Sequence, residues 1–248
     1  MGTEIIVALI AAAVAVFSAA LTLWGQYRTT LLTNQMEELR AAEQRRLAVE
    51  TSEARYREPL ARAAYDLQSR LYNILAQDFM GRYSERGGAR ERAYAIDNTT
   101  FVIGQYFAWT EIIRREIQYI DLGKDEQTSR PARLQDEIYF LFQTDRFPAR
   151  LRVFAGEQRA IGERMIGEGP RGPVSMGYAT FLDQLNGVAN DVLTKALRDD
   201  VEQLSGSLGD ARPRLIALQH AMIDLLAFLD PEFVRFPKDN RTKYSPAS

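Results

Sequence analysis

The chain has 248 residues, with 31 Lys and Arg against 33 Asp and Glu, a nearly balanced net charge of −2 that gives no overall basic bias toward nucleic acid. It has no cysteine, which rules out disulfides, thiolate zinc sites and cysteine nucleophiles, and its single histidine, His220, removes most of the usual vocabulary of metal and acid–base sites. Two Trp, eleven Tyr and twelve Phe lie mostly downstream of residue 25 and supply apolar area for one ordinary domain without staples.

Ile5 to Trp24 reads IIVALIAAAVAVFSAALTLW, without a charge, a proline or a glycine. A helix of about 20 residues spans roughly 30 Å, the hydrocarbon thickness of a bilayer. Alternate steps of four and three residues from Glu4 meet Ala8, Ala11, Ala15, Ser18, Thr22 and Gly25. All of these after Glu4 are small, which lets membrane helices approach closely, and the 4-3 step is the seam of packed helices. The stripe therefore predicts self-association, against the alternative of a plain monomeric anchor. No basic residue precedes the segment, whereas Arg28 and Arg40 follow it, so the bulk of the chain is expected in the cytoplasm and the N-terminus outside.

Residues 1–25 are thus read as a transmembrane helix and 26–58 as a polar helical stalk of alternating charge that continues it. Pro59 is expected to open a cytoplasmic helical domain, residues 59–235, followed by a flexible basic tail, 236–248. Within that domain, Leu60, Ala64, Leu67, Leu71 and Ile74 give one apolar helix face, ending before Gly87-Gly88. Asp97-Asn98-Thr99-Thr100 is placed as a cap or an interruption. The run from Phe101 to Leu122 is apolar on more than one face and predicts a helix at the centre of the bundle. Pro131 is read as the start of a shorter helix, and Leu151 to Phe154 as a short stretch of strand character with no evident partner. Ser175 is a candidate cap for one helix carrying Phe181 to Leu197. A last helix is expected from Asp210 and Pro213 to a stop at Pro231. The fold class is all-α.

Chemistry is mostly refused. His220 and Asp224 share a helix face and are expected to bond locally, and neither a nucleophile elbow nor a phosphate loop occurs. No cofactor or metal is called for, and an enzyme is not expected. The glycine-rich stretch from Gly156 to Gly177, with Arg159, Arg164 and Arg171, is the one candidate ligand loop, because backbone amides and guanidinium forks suit a phosphate. Glu157, Glu163 and Glu168 oppose that field, and an ordered connecting loop is the alternative.

One membrane helix with a small-residue face and Glu4 at its head, followed by a helical cytoplasmic domain, resembles the single-pass membrane effectors of bacterial anti-phage defence systems, in particular the Hailong-type channel effector. The similarity covers residue 1 to about residue 58 as architecture. It implies a homo-oligomeric, tetramer-like ion channel in the bacterial inner membrane, silenced by a nucleotide or nucleic-acid signal or by a cytoplasmic partner protein. The alternative is a membrane-anchored scaffold or sensor whose helix only packs.

Overall fold

The computed structural model describes the backbone of residues 2–117, 126–170, 172–187 and 191–246; within the helices, the side chains of 3–16, 19–20, 25, 29–32, 34–35, 45–54, 117 and 126–129 lie outside the description. The chain is mostly helical and divides into two units, Met1–Thr51 and Ser52–Ser248. The first unit holds only the N-terminal part of helix α1, Gly2–Ala76. Its described large side chains, Phe17, Leu21, Leu23, Trp24 and Tyr27, are each more than half exposed. Among the described residues no helix is long and apolar enough to cross a membrane. Most of the side chains of the Ile5–Trp24 run lie outside those residues, so the membrane span predicted from the run is not among what the fold itself displays.

In the second unit the helix runs through Pro59 instead of starting there. Proline inside a helix removes one hydrogen bond and crowds the carbonyl four residues back, at a cost of about 3 kcal/mol. The face formed by Tyr56, Leu60, Ala63, Ala64, Leu67, Leu71 and Ile74 is buried along its length and offsets that cost. Beyond Ala76 a π-helical turn, Gly81–Glu85, leads to α2, Ala89–Ile117.

Helix α2 is the centre of the unit, as its many-sided apolar pattern predicts. It meets the π turn, α4 (Ala155–Arg164), α5 (Tyr178–Asn186), α6 (Val192–Glu202) and a strand at Gly172–Ser175, and Ile96, Ile103, Tyr106, Phe107 and Ile112 are almost wholly buried. Asp97 to Thr100 neither cap nor interrupt it. Thr99 and Thr100 donate to the carbonyls of Ala95 and Ile96, at 2.5 and 2.9 Å, so their hydroxyls are satisfied inside the helix.

Helix α3, Glu126–Gln143, begins five residues before Pro131 and packs on α7, Leu204–Leu229. Leu151 to Phe154 form no strand: Leu151 is a buried left-handed residue (φ 54°) and Phe154 begins the turn into α4, Ala155–Arg164. Strand structure lies further on. Ile166–Gly169 (β1) and Gly172–Ser175 (β2) pair antiparallel, Ile166 opposite Ser175 and Gly169 opposite Gly172. Gly172 has φ 115°, a backbone that side chains rarely adopt, which fits glycine at the tight return. The all-α reading stands for a mostly helical chain, to which the described residues add one small hairpin whose glycines and proline read as a loop in sequence.

Ser175 ends β2, and Gly177 occupies the cap of α5, Tyr178–Asn186. The single helix expected over Phe181–Leu197 is two, because Gly187 ends α5 and Asp191 caps α6, Val192–Glu202. Helix α7, Leu204–Leu229, contains a non-helical residue, Ser207 (φ −139°, ψ 34°), and carries Pro213 three residues past the expected start at Asp210.

Candidate functional site

The stripe residues are described only in part. Ser18 and Thr22 are exposed, and the Thr22 hydroxyl donates to the Ser18 carbonyl at 2.9 Å. The side chains of Glu4, Ala8, Ala11, Ala15 and Gly25 lie outside the described residues. Near the end of the apolar run the Arg28 guanidinium sits 5.2 Å from the centre of the Trp24 ring.

Two of the three arginines of the candidate phosphate loop are described, and each has a partner of its own. Arg159 lies on α4 with its guanidinium 5.9 Å from the Tyr139 ring centre, and Arg164, at the end of that helix, pairs with Asp191 at 3.3 Å. Arg171 lies outside the described residues. The stretch that would have wrapped an anion is instead the end of α4 and the β1–β2 hairpin, so its amides are partly used in a ladder. Among the described residues no group of His, Asp and Glu gathers as a metal ion would require.

Four arginine-centred clusters hold the domain instead. Arg214 on α7 is completely buried and donates to the carbonyls of Leu141 (2.5 Å), Phe142 (3.0 Å), Thr144 (2.9 Å), Pro148 (3.1 Å) and Arg150 (3.3 Å). It closes the C-terminal end of α3, where orphan carbonyls and the negative helix pole favour a cation. Burial pushes its pKa down, and the nearby Arg152 adds to that effect.

Glu111 on α2 is buried between Arg114 (2.6 Å) and Arg115 (2.7 Å), and Arg115 also reaches Glu163 on α4 at 2.7 Å. Burial pushes the Glu111 carboxyl up, but the two guanidinium forks outweigh it and hold the group below the ordinary range. Arg70 stacks 4.1 Å from the Phe79 ring centre and 5.5 Å from that of Tyr94, and donates to the Asn98 side-chain oxygen at 2.6 Å. The nearby Asp97 is taken by Arg198 at 2.7 Å.

The fourth cluster overturns the expected loose tail. Asp230 follows α7, and its carboxylate accepts the backbone N–H groups of Val234 (3.0 Å), Arg235 (3.2 Å) and Phe236 (3.1 Å). It also pairs with the buried Arg241. Burial raises the Asp230 carboxyl, yet these donors together hold it below its usual value. Phe236 is buried, stacks on Tyr65 (4.5 Å) and lies under the Arg62 guanidinium (4.8 Å). From there the chain runs over the junction of α1 and α7, where Gln219 donates to Gln68 at 3.4 Å. His220 and Asp224 do not bond each other: His220 Nε2 meets the Tyr244 carbonyl at 2.8 Å, and Asp224 pairs with Lys243 at 2.7 Å.

Sequence reasoning missed Arg214 and Arg70 because their partners are carbonyls and rings contributed largely by distant elements. The signal available was weak: the near-exclusive use of Arg over Lys, which favours buried multidentate contacts. No protein-family model matches the chain, and neither curated proteins nor solved structures yield a match.

Proposed function

We propose that this chain is a self-assembling single-pass membrane effector, N-terminus outside and helical domain in the cytoplasm, whose membrane helices pack through the Glu4–Gly25 stripe and enclose an ion-conducting pore gated by that domain. The observation that carries this reading is the first unit. It is helix alone, and it leaves Phe17, Leu21, Leu23, Trp24 and Tyr27 more than half exposed within a sequence run free of charge. Covering such side chains is worth about 1.5–3 kcal/mol each, and within that unit no second element exists to cover them. Lipid and further copies of the helix supply the missing surface. The architectural resemblance to anti-phage channel effectors extends the reading to a defence role in a bacterial inner membrane, under a nucleotide, nucleic-acid or protein signal.

The test is helix association in membranes. Ala11→Phe and Ala15→Phe place a ring where close approach is needed and are expected to weaken the cross-linking ladder, whereas Ala13→Phe, on the opposite face, leaves it intact. Equal effects at Ala13 and Ala15 sink the seam. Glu4→Gln in reconstituted bilayers is expected to reduce cation preference, since a ring of carboxylates at a pore mouth concentrates cations.

A second reading, the membrane-anchored scaffold or sensor, is favoured by one contact. Because the Thr22 hydroxyl is satisfied by the Ser18 carbonyl, a polar stripe residue can lie in a dry helix–helix contact without a water-filled lumen. Wild-type protein that assembles yet passes no current leaves this reading in possession.

A further inference from the structure

Among the described residues three arginines are buried: Arg70, Arg214 and Arg241. Two of them are answered. Arg214 meets five carbonyls, and Arg241 pairs with the Asp230 carboxylate and takes two carbonyls. Arg70, on α1, is 9% exposed, and its one firm acceptor is the Asn98 side-chain oxygen, 2.6 Å from Nη2. The same nitrogen stands 3.5 Å from the Tyr94 hydroxyl, at the limit of a hydrogen bond. Nη1 is buried and has no hydrogen-bond partner.

The charge of Arg70 is unanswered as well. Asp97, one residue before Asn98 on α2, is taken by Arg198 at 2.7 Å, and Glu202 is shared by Arg92 (2.8 Å) and Arg198 (3.8 Å). Three guanidinium groups therefore stand against two carboxylates, and among the described residues no carboxylate pairs with Arg70. Burial pushes its pKa down, and what opposes that push is the phenols of Tyr94 and Tyr178. The rings of Phe79 and Tyr94, 4.1 and 5.5 Å from the guanidinium carbon, offset part of the cost. A buried donor without an acceptor and a buried charge without a counterion are the two things that a bound anion supplies.

The surroundings say which anion. Tyr94 is 49% exposed, whereas Phe79 and Asn98 are half-buried, so Tyr94 is the wall that turns into solvent to uncover the fork. With its hydroxyl displaced, Nη1 and the second N–H of Nη2 are free to hold two oxygens of one group. The excess is a single positive charge, which a single negative charge balances. Two rings flank the fork, and a flat group beside the ligand's charge stacks on them. We propose that Arg70 and Asn98, between the Phe79 and Tyr94 rings, form a binding site for a small monoanion that carries a flat ring beside a carboxylate or a phosphodiester. The site lies within the second unit and does not depend on the membrane reading above.

The test is calorimetric titration of the full-length protein in detergent. Benzoate represents the carboxylates and adenosine 3′,5′-cyclic monophosphate the phosphodiesters; acetate and dimethyl phosphate are their ringless counterparts. The expected result is binding of at least one ring-bearing probe with a Kd of about 1 mM or tighter, and about tenfold tighter than its ringless counterpart. Which probe binds identifies the charged group. Asn98→Asp sets a carboxylate where the amide oxygen stands, so the protein supplies its own counterion. This variant is expected to melt no lower than the parent and to bind about tenfold more weakly or worse. Arg70→Lys keeps the charge without the fork and is expected to weaken binding to a similar degree; it decides the matter if Asn98→Asp melts below the parent. Failure of both ring-bearing probes to bind the parent overturns the site, as does binding that both variants retain in full. A ringless probe that binds as tightly as its counterpart overturns the assignment of the ligand.

Discussion

Single residues carry charge into this fold only where several groups answer it. Among the described residues no carboxylate pairs with Arg214, yet five carbonyls converge on it. Replacing it by Met is expected to lower stability by roughly 3 kcal/mol or more, because buried carbonyls at the end of α3 lose their donors. Arg214→Lys is expected to recover less than half, since an ammonium cannot span the fork; denaturant unfolding of the three proteins checks both. Glu111 sets a pH dependence. Its folded-state pKa is depressed by Arg114 and Arg115 against the upward push of burial, so its contribution is full above its unfolded value, about 4.3, and is lost as pH falls through the lower folded value. Asp230 acts with the same sign, whereas burial raises Asp66 and Asp200, whose contributions run the opposite way. The expected outcome is that Glu111→Gln is less stable at pH 7 and loses less on acidification below pH of about 5 than the parent, measured by thermal melts across that range.

At the scale of elements, close approach decides more than propensity. Helices α2 and α4 touch at Gly162, where an added Cβ would lie 2.6 Å from the Phe107 carbonyl oxygen. Backbone cannot yield there, so Gly162→Ala is expected to cost roughly 2 kcal/mol through displacement of α4. Gly104, on α2, would press its Cβ against the Met165 sulfur. That side chain can rotate away, and alanine improves helix propensity by about 1 kcal/mol. Gly104→Ala is therefore expected to be close to neutral. Parallel melts of the two variants separate a rigid contact from a compliant one; equal losses would remove the distinction. The prolines teach the same lesson. Pro59, Pro131 and Pro213 read as helix starts, and each lies within a helix whose partners hold it.

At the scale of the molecule, the segment after Phe236 completes the second unit instead of trailing from it. Arg241→Ala removes one member of a buried pair and strips donors from Asp230 and the end of α7, so a loss of about 3 kcal/mol is expected. Lys243→Ala breaks only an exposed pair with Asp224 and is expected to stay within about 0.5 kcal/mol of the parent. Chemical unfolding, with proteolysis of the 238–246 segment as a second readout, distinguishes them; a segment cut equally fast in all three proteins would mean that Arg241 does not anchor it.

Local pattern made much of this legible before any coordinates. The 3.6-residue spacing from Leu60 to Ile74 and the many-sided apolar run of α2 encode burial directly, because each needs only that one face, or all faces, avoid water. The stop before Pro231 follows from backbone chemistry in the same way, whereas the break at Gly187 went unread inside an apolar run that looked like one helix. What local pattern could not reveal depends on partners far along the chain. Val174, Gly167 and their neighbours read as a loop until β1 and β2 pair. The tail reads as solvated lysine and arginine until Asp230, Gln68 and Gln219 meet it. The arginines of the supposed ligand loop part because α4 aims Arg159 at Tyr139 and Arg164 at Asp191. A charge's surroundings are set by packing, and packing brings together residues that sequence keeps more than a hundred positions apart.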